Sequence, residues 1–259
     1  MTSPFDQVPE IYDRVRPEYP QALFDDLFAL LPARNSPPRV VEMGPATGQA
    51  TGALLARGAH LTAVEVGANL AAFLARKFRA QPHLEVVNAR FEDAPLAEGA
   101  WDLVTAATAY HWVAPEVRIA KPHALLARGG VLAIIDTIQV RDAADRDYFE
   151  RSQPIYARYW ADQSTFHESP DPDDATPPIL DEMRTSGLFE DVRVHRYRWD
   201  QRYDTDAYID LVRSYSNTYD LDPATRERFL DDLRAMVAAE PNGTVLRPLV
   251  ITMVSGKRA

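Results

Sequence analysis

Short apolar runs in the first half of the chain alternate with stretches of helical character, and this alternation constrains the fold most strongly. The runs are RVVEM (39–43), HLTAVEV (60–66), HLEVVNA (83–89), WDLVTAA (101–107) and GGVLAIID (129–136). Strands at this spacing, with helices between them, predict βαβ units and a parallel sheet. Because each run is nearly all apolar, we expect a sheet that helices cover on both faces.

The second half of the chain adds two strands to this pattern, FEDVRVHRYRWD (189–200) and TVLRPLVITMVSG (244–256). Between them, Asp222 and Pro223 are suited to the N-cap and N1 positions of a helix. The fold class predicted is therefore α/β: a Rossmann-like, doubly wound, mostly parallel seven-stranded sheet with helices on both faces. Segment 141–175 is acidic and rich in aromatic residues, and we interpret it as an inserted helical lid.

Charge and composition exclude several classes of function. The chain has 28 Lys and Arg against 38 Asp and Glu, a formal net charge of -10. We expect no nucleic-acid partner, because non-specific binding to a phosphate backbone depends on clustered Lys and Arg. The absence of Cys excludes disulfides, thiolate zinc sites and cysteine nucleophiles.

Metal and membrane sites are also not expected. The His residues show no ligand spacing such as His-Glu-x-x-His, so we predict no metal. No run approaches the ~18–20 apolar residues of a membrane span. We therefore expect no membrane partner and a cytoplasmic location, although no targeting signal supports that location.

The most informative stretch is VVEMGPATGQATG (40–52), which lies between a predicted strand and a predicted helix. A dinucleotide fingerprint reads G-x-G-x-x-G and holds a pyrophosphate. Here Gly44, Ala46 and Gly48 follow one another at intervals of two, so the third small position comes one residue early. Glu42 would repel a pyrophosphate but would favour a ligand that carries an ammonium or a sulfonium. The charge argument points away from NAD and towards S-adenosylmethionine.

At these residues the chain resembles the class I S-adenosylmethionine-dependent methyltransferases, whose first motif reads acidic-x-Gly-x-Gly-x-Gly. Ala46 replaces the middle glycine, and its methyl group should narrow the turn. Glu65 ends the second strand 17 residues after Gly48. An acidic residue about 20 residues after the glycines is suited to bind the two ribose hydroxyls.

Four further stretches extend the resemblance, and the last three of them match the small-molecule, methyltransferase type 11-like branch of that family. In NARFEDAPL (88–96), the resemblance implies that Phe91 stacks on the adenine and Glu92 binds its edge. WDLVTAATAYHWV (101–113) and LLARGGVL (125–132) match a His-Trp pair and a Leu-x-Pro-Gly-Gly turn, with Arg128 where Pro is usual. YDRVRPEYP (12–20) matches an opening segment that folds over the cofactor.

The resemblance implies a set of site residues. Those expected to bind S-adenosylmethionine are Tyr12, Arg16, Tyr19, Glu42, Gly44, Ala46, Thr47, Gly48, Glu65, Val66, Arg90, Phe91, Glu92, Thr105, Ala106 and Tyr110. Within this set, Arg16 is suited to the methionine carboxylate. His111 is the candidate catalytic residue, as general base or substrate orienter. The candidate substrate residues are Trp112, Tyr156, Tyr159 and Trp160.

The domain organisation follows from the same resemblance. Residues 1–259 are expected to form one methyltransferase domain, in which 1–35 cover the cofactor and 36–140 form the cofactor-binding core. Residues 141–180 would be the helical insertion, and 181–259 would complete the sheet. The sequence leaves a homodimer open.

Other interpretations of these residues stay open. His111 can be a structural residue hydrogen-bonded in the wall, Phe91 and Trp112 can be core residues, and the aromatic residues of 141–175 can attach the insertion to the core. The leading hypothesis is a methyltransferase that acts on a small-molecule acceptor by in-line displacement. The alternatives are an S-adenosylmethionine-binding protein of the same fold that does not methylate, and an NAD-type oxidoreductase with an atypical fingerprint.

Overall fold

A computed structural model describes residues 4–141, 148–160 and 169–259. In this part of the chain, seven strands form one sheet in the order β3-β2-β1-β4-β5-β7-β6. The strands are β1 Arg39–Met43, β2 His60–Glu65, β3 Leu84–Asn88, β4 Trp101–Ala107, β5 Leu126–Gln139, β6 Phe189–Asp204 and β7 Thr244–Arg258.

Strand directions agree with the predicted doubly wound arrangement. β1 pairs in parallel with β2 and β4, β2 pairs in parallel with β3, and β4 pairs in parallel with β5. β7 is antiparallel to both of its neighbours, β5 and β6. The prediction of a mostly parallel seven-stranded sheet is confirmed, and the carboxyl ends of the parallel strands share one edge.

β5 and β6 are longer than their apolar runs predict. Antiparallel pairing with β7 extends β5 as far as Gln139, opposite Leu249. It extends β6 as far as Asp204, opposite Thr244. Apart from the buried Tyr203, the residues added at these ends are polar or half-buried, so backbone pairing rather than apolar character defines the strand ends.

The helices lie between and beside the strands. They are α1 Pro9–Val15, α2 Gln21–Leu30, α3 Thr51–Ala56, α4 Ala68–Lys77, α5 Ala120–Leu125, α6 Tyr148–Tyr159, α7 Ile179–Thr185, α8 Thr205–Arg213 and α9 Pro223–Ala238. Asp222 caps α9 as predicted, since its side chain accepts from the N–H groups of Ala224 and Thr225. α8, which Asp204 caps in the same way, was not predicted.

Two prolines lie at the beginnings of helices. Pro122 is in the first turn of α5, two residues after the helix begins. In the first turn of a helix the missing N–H of proline has no intrahelical partner to lose, so Pro122 is tolerated there. Pro20 is the N-cap of α2.

Apolar residues cover both faces of the sheet, as alternation along its strands requires. Val41 and Leu132 belong to one buried cluster, and Val40 and Ala133 belong to the cluster on the opposite face. A third cluster joins α6, α8 and α9 around Phe229, whose side chain is fully buried.

The predicted insertion is described only in part, because 142–147 and 161–168 lie outside the described residues. In its described part, α6 packs on α9. The rings of Tyr156, Tyr159 and Trp160 lie 5.0, 5.4 and 4.8 Å from the ring of Phe229. A mobile lid over a substrate stays a prediction. None of the described helices is long and apolar enough to cross a bilayer.

Candidate functional site

A cavity of about 980 Å3 opens at the edge of the sheet where the parallel strands end. This volume lies near the top of the ~300–1,000 Å3 range of small-molecule sites. One end of the cavity, here called the glycine-loop end, is lined by Gly44, Ala46, Glu65, Val66 and Phe91. The other end, here called the β7 end, is lined by Gln139, Tyr203, Tyr215, Arg247 and Leu249. Sheet order separates them, since β1, β2 and β3 lie on one side of β4, and β5, β7 and β6 on the other.

The loop after β1 turns sharply through three residues with positive φ. Gly44, Ala46 and Gly48 have φ angles of 61°, 50° and 92°. A Cβ at Gly48 would lie 2.5 Å from the ring of Phe78 and 2.8 Å from the side chain of Leu74, so a side chain there would have to displace both. Ala46 adopts the left-handed region despite its methyl group, at some cost in strain. The loop thereby keeps the tight turn that the sequence motif predicted.

Glu65 connects this loop to the end of β2. One oxygen of its carboxylate accepts the Ala46 N–H at 3.0 Å, and the other accepts the Gly67 N–H at 2.8 Å. Burial raises the pKa of Glu65, whereas the hydrogen bonds from Gly67 and Ala46 lower it. An ionised carboxylate has about four acceptor positions, so each oxygen can still accept one further hydrogen bond. Glu65 lines the cavity, so these unoccupied acceptor positions are available to a ligand that enters it.

Glu42 is a second carboxylate in the cavity wall, and it is almost completely buried. It accepts a hydrogen bond of 2.6 Å from the hydroxyl of Thr51 in α3. Burial raises the pKa of Glu42 to about 7; the Thr51 hydrogen bond opposes this rise and the nearby Glu65 adds to it. Near neutral pH, Glu42 is therefore close to the midpoint between its neutral and charged forms.

This shift predicts a pH-dependent stability. The pKa of Glu42 is about 7 in the folded state, against 4.5 for an unperturbed Glu. The folded state therefore holds the proton more tightly than the unfolded state. The stabilisation is complete below about pH 4.5 and is lost as the pH rises through about 7. From the difference between these two pKa values, we expect the free energy of unfolding to fall by up to about 3 kcal/mol as the pH rises from about 4.5 through about 7.

Urea denaturation of the wild type and Glu42→Gln at several pH values measures this contribution. Gln keeps an acceptor for Thr51 but cannot ionise. The stability of the variant relative to the wild type should therefore be greater at pH 8 than at pH 5. An unchanged difference between the two proteins over that range would refute the assignment.

The turn after β3 is held by a lysine that sequence reasoning missed. Lys121 Nζ in α5 donates to the backbone oxygens of Phe91, Glu92 and Ala94 at 2.7, 2.9 and 3.0 Å. All three donors of the ammonium group are thus used. Glu92 accepts in turn from the Ala114 N–H. These bonds fix Phe91, Glu92 and the neighbouring Arg90 in the cavity wall.

The N-terminal segment closes one side of the cavity. Arg16 lines the cavity, and its Nε donates to Ser214 Oγ at 3.0 Å, while Nη2 donates to the Ser214 carbonyl oxygen at 2.8 Å. Its guanidinium lies over the ring of Tyr12, 4.6 Å from the centroid. These contacts join the N-terminal segment to the turn after α8.

Tyr12 and Tyr19 lie on the same side, and both line the cavity. The hydroxyl of Tyr19 is hydrogen-bonded to that of Thr108 at 3.0 Å, after the end of β4. Burial raises the pKa of Tyr12; Arg16 opposes the rise and Glu65 adds to it. Both tyrosines and Arg16 therefore lie in the cavity wall, and their binding of the cofactor stays a prediction.

His111 and Trp112 form a short turn after β4. Trp112 is 57% exposed and lines the cavity. His111 is exposed beside it, with ring centroids 5.2 Å apart, but it does not line the cavity. Partial burial lowers the pKa of His111; Asp136 opposes this effect and Arg118 adds to it. His111 is therefore mainly neutral at neutral pH and able to accept a proton at the rim.

Several predicted site residues lie behind the wall or away from it. Thr105 and Ala106 are buried within β4, and Thr47 is buried in the glycine loop. Tyr110 is buried too, and its hydroxyl donates to Glu182 of α7. Tyr156, Tyr159 and Trp160 do not line the cavity, because their rings pack on Phe229. Gly48 contributes through the turn rather than through the cavity surface.

The structure brings other residues to the cavity that sequence reasoning did not select. Among them are Thr137, Gln139, Tyr203, Tyr215 and Arg247 at the β7 end. The one available signal was Arg247, a charged residue within the otherwise apolar run TVLRPLVITMV. Among the described residues, no group of three or more His, Asp or Glu side chains is arranged to hold a metal ion.

Comparison with known proteins gives consistent relatives. A sequence model of the methyltransferase domain family matches residues 41–134. An uncharacterized methyltransferase of Mycobacterium tuberculosis is 29% identical over 231 residues, which are 89% of this chain and 84% of that protein. The matched region contains the glycine loop, Glu65 and the His111-Trp112 turn.

Solved structures share the fold over nearly the whole chain. A candidate type II methyltransferase of Anaeromyxobacter dehalogenans has a TM-score of 0.63 at 22% identity, over 93% of this chain and 97% of that chain. A phosphoethanolamine N-methyltransferase of Haemonchus contortus, solved with phosphomonomethylethanolamine and S-adenosylhomocysteine, has a TM-score of 0.55 at 10% identity. That match covers 98% of this chain and 57% of the Haemonchus chain.

Proposed function

Since the chain belongs to the class I S-adenosylmethionine-dependent methyltransferase family, we propose that it transfers a methyl group from S-adenosylmethionine to a small-molecule acceptor. The observation that carries the proposal is Glu65, whose carboxylate bonds to the glycine loop and still has free acceptor positions beside the cavity. The second end of the cavity leaves room for an acceptor.

The residues of the glycine-loop end fit the cofactor chemically. Glu65 supplies acceptors for a ribose diol, and Phe91 and the 47% exposed Val66 supply apolar surface for a base. Arg16 and Tyr12 lie where the amino-acid part would extend, and Arg16 suits a carboxylate. Glu42 adds a carboxylate that favours a positively charged ligand over a pyrophosphate.

When bound, S-adenosylmethionine supplies a methyl group on a positively charged sulfur, which makes displacement by a nucleophile favourable. The chain's own residues would position the two reactants and exclude water. Tyr12, Tyr19 and Arg16 would cover the reacting centre from the N-terminal side. Trp112 would present an aromatic face at the rim, where a cation or an acceptor can contact it.

The domain organisation that we propose follows this division. Residues 1–35 would cover the cofactor, 36–140 would bind it, and 181–259 would contribute the acceptor end through β6, β7 and the turn after α8. The substrate role first assigned to Tyr156, Tyr159 and Trp160 passes to residues of the β7 end, because those rings pack on Phe229. Trp112 keeps its proposed substrate role.

Calorimetry with S-adenosylhomocysteine, followed by a radiolabelled methyl-transfer assay on a panel of small molecules, tests the proposal. We expect micromolar or tighter binding of S-adenosylhomocysteine and transfer to at least one acceptor. Binding without transfer to any acceptor would favour a protein that binds the cofactor but does not methylate. Binding of NAD in place of S-adenosylhomocysteine would overturn the proposal in favour of an oxidoreductase.

His111 is proposed as general base or substrate orienter at the rim. His111→Ala should lower kcat/KM by about 100-fold, the lower end of what a positioned base contributes, and leave S-adenosylhomocysteine affinity unchanged. In the wild type, kcat/KM should rise with pH through a pKa below 6.5, since the pKa of His111 is lowered. The variant should lose this rise.

His83→Ala is the matched control, because His83 is exposed and stacks on His60 away from the cavity. It should retain both the rate and the pH profile. A pH profile that His111→Ala leaves unchanged would assign His111 a structural role only.

A further inference from the structure

The β7 end of the cavity contains a cation with no acidic partner. Arg247 lies in β7, opposite Gln201 of β6, and it is half-buried in the cavity wall. Its Nε donates to Gln139 Oε1 at 3.0 Å, and its Nη1 donates to the hydroxyl of Tyr215. Within the described ranges it forms no ion pair with any carboxylate. A half-buried charge without a counterion is unfavourable unless something in the cavity compensates it.

The groups around Arg247 do not neutralise it. Tyr203 and Tyr215 also line the cavity, and Tyr208 and Tyr156 lie close enough for electrostatic interaction with the guanidinium. Burial raises the pKa of Tyr203 to about 12, although Arg247 opposes this rise. Its hydroxyl is therefore neutral at physiological pH. Such hydroxyls can donate to an anion, but they carry no charge of their own.

The guanidinium is held in one orientation and keeps donors free. Gln139 and Tyr215 occupy Nε and Nη1, whereas Nη2 has no acceptor in the described part of the chain. An arginine fork fixed in this way is suited to the oxygens of a carboxylate or a phosphate. The formal net charge of the chain is -10, so Arg247 in the cavity wall is not part of a generally basic surface.

The position of Arg247 in the sheet separates it from Glu65 and the glycine loop. Glu65 ends β2, while Arg247 lies in β7, and β1, β4 and β5 lie between these strands in the sheet. On the premise of the proposed methyltransferase function, we propose that Arg247 binds an anionic oxygen group of the methyl acceptor, a carboxylate or a phosphate. Gln139 and Tyr215 are positioning residues that orient the guanidinium. The acceptor is thus a small anionic molecule.

Calorimetry on the full chain saturated with S-adenosylhomocysteine tests this inference. The probes are benzoate, phenyl phosphate and the neutral analogue benzamide. We expect at least one of the two anions to bind at least 10-fold more tightly than benzamide, and the tighter anion identifies the carboxylate or the phosphate as the source. Equal binding of benzamide and both anions, or no binding of either anion, would overturn the inference.

Variants assign the effect to the guanidinium. Arg247→Leu should weaken binding of the preferred anion by at least 10-fold and leave benzamide unchanged, and Arg247→Lys should show an intermediate loss because it keeps the charge but not the fork. The matched control is Arg198→Leu, since Arg198 is exposed on the adjacent strand β6. Undiminished anion binding in both Arg247 variants would overturn the inference.

Affinity for S-adenosylhomocysteine separates this inference from the proposed function. In all three variants it should stay within twofold of the wild type, which also shows that they fold. A wild type that does not bind S-adenosylhomocysteine would refute the proposed function itself. A wild type that binds it but does not discriminate anions from benzamide would refute only the role of Arg247.

Discussion

Glu65→Ala is expected to weaken binding of S-adenosylhomocysteine by at least about 100-fold. Hydrogen bonds to a charged group contribute about 1.5–3 kcal/mol each, and a ribose diol would make two with this carboxylate. The substitution also removes the acceptors of the Ala46 and Gly67 N–H groups, so the glycine loop loses its connection to β2. Calorimetry at neutral pH measures the loss directly.

Two further variants sharpen the test of Glu65. Glu65→Gln keeps the shape and one acceptor oxygen, so its affinity should fall between those of the wild type and Glu65→Ala. Glu98→Ala removes an exposed carboxylate away from the cavity wall and should have no effect. Retention of full affinity by Glu65→Ala would remove the main support for the proposed cofactor site.

The glycine-loop end could be predicted because its residues follow strands that are themselves visible in the sequence. Gly44 follows β1 directly, Glu65 ends β2, and Phe91 comes three residues after β3. In a parallel sheet these strand ends meet at one edge. A motif at each strand end therefore predicts a shared site without any knowledge of long-range packing.

The β7 end could not be predicted in this way. Gln139, Tyr203, Tyr215 and Arg247 come from different elements spread over more than a hundred positions of the chain. The antiparallel pairing of β7 with β5 and β6, together with the turn after α8, brings them together. No local pattern distinguishes the side chains of Gln139, Tyr203 and Tyr215 from ordinary polar residues. Arg247 is the exception, because a charged side chain within an apolar strand is unfavourable unless another group compensates it.

The aromatic residues of α6 illustrate a related ambiguity. Helical spacing of Tyr156, Tyr159 and Trp160 fits a substrate wall and a packing surface equally well. The residue on which these rings pack decides between the two interpretations. That residue is Phe229 in α9, more than sixty residues later in the chain. Lys121 could not be predicted for a similar reason. It donates only to backbone oxygens, which every residue has, so no sequence motif identifies its acceptors.

Phe229→Ala is expected to lower the free energy of unfolding by about 3–5 kcal/mol, the usual cost of removing a buried aromatic ring. The side chain of Phe229 is 0% exposed, and the three rings of the α6 region pack on it. The substitution would leave an empty space between α6 and α9, and these helices would lose their main contact. Urea denaturation measures the change, and Phe73→Ala, at a half-buried position of α4, should cost clearly less.

The same variant tests whether α6 acts on the acceptor end through packing. α8 packs on α9 within the same cluster, and the turn after α8 carries Tyr215, which holds Arg247. Below the temperature at which Phe229→Ala unfolds, S-adenosylhomocysteine affinity should therefore fall less than affinity for the anionic probe, because Glu65 ends β2 and the glycine loop follows β1, and both strands pack in the other two clusters. Affinity for the preferred anionic probe should fall. Equal loss of both affinities would instead show that the third cluster supports the whole cavity, and a change in stability below about 1 kcal/mol would contradict the packing role of Phe229.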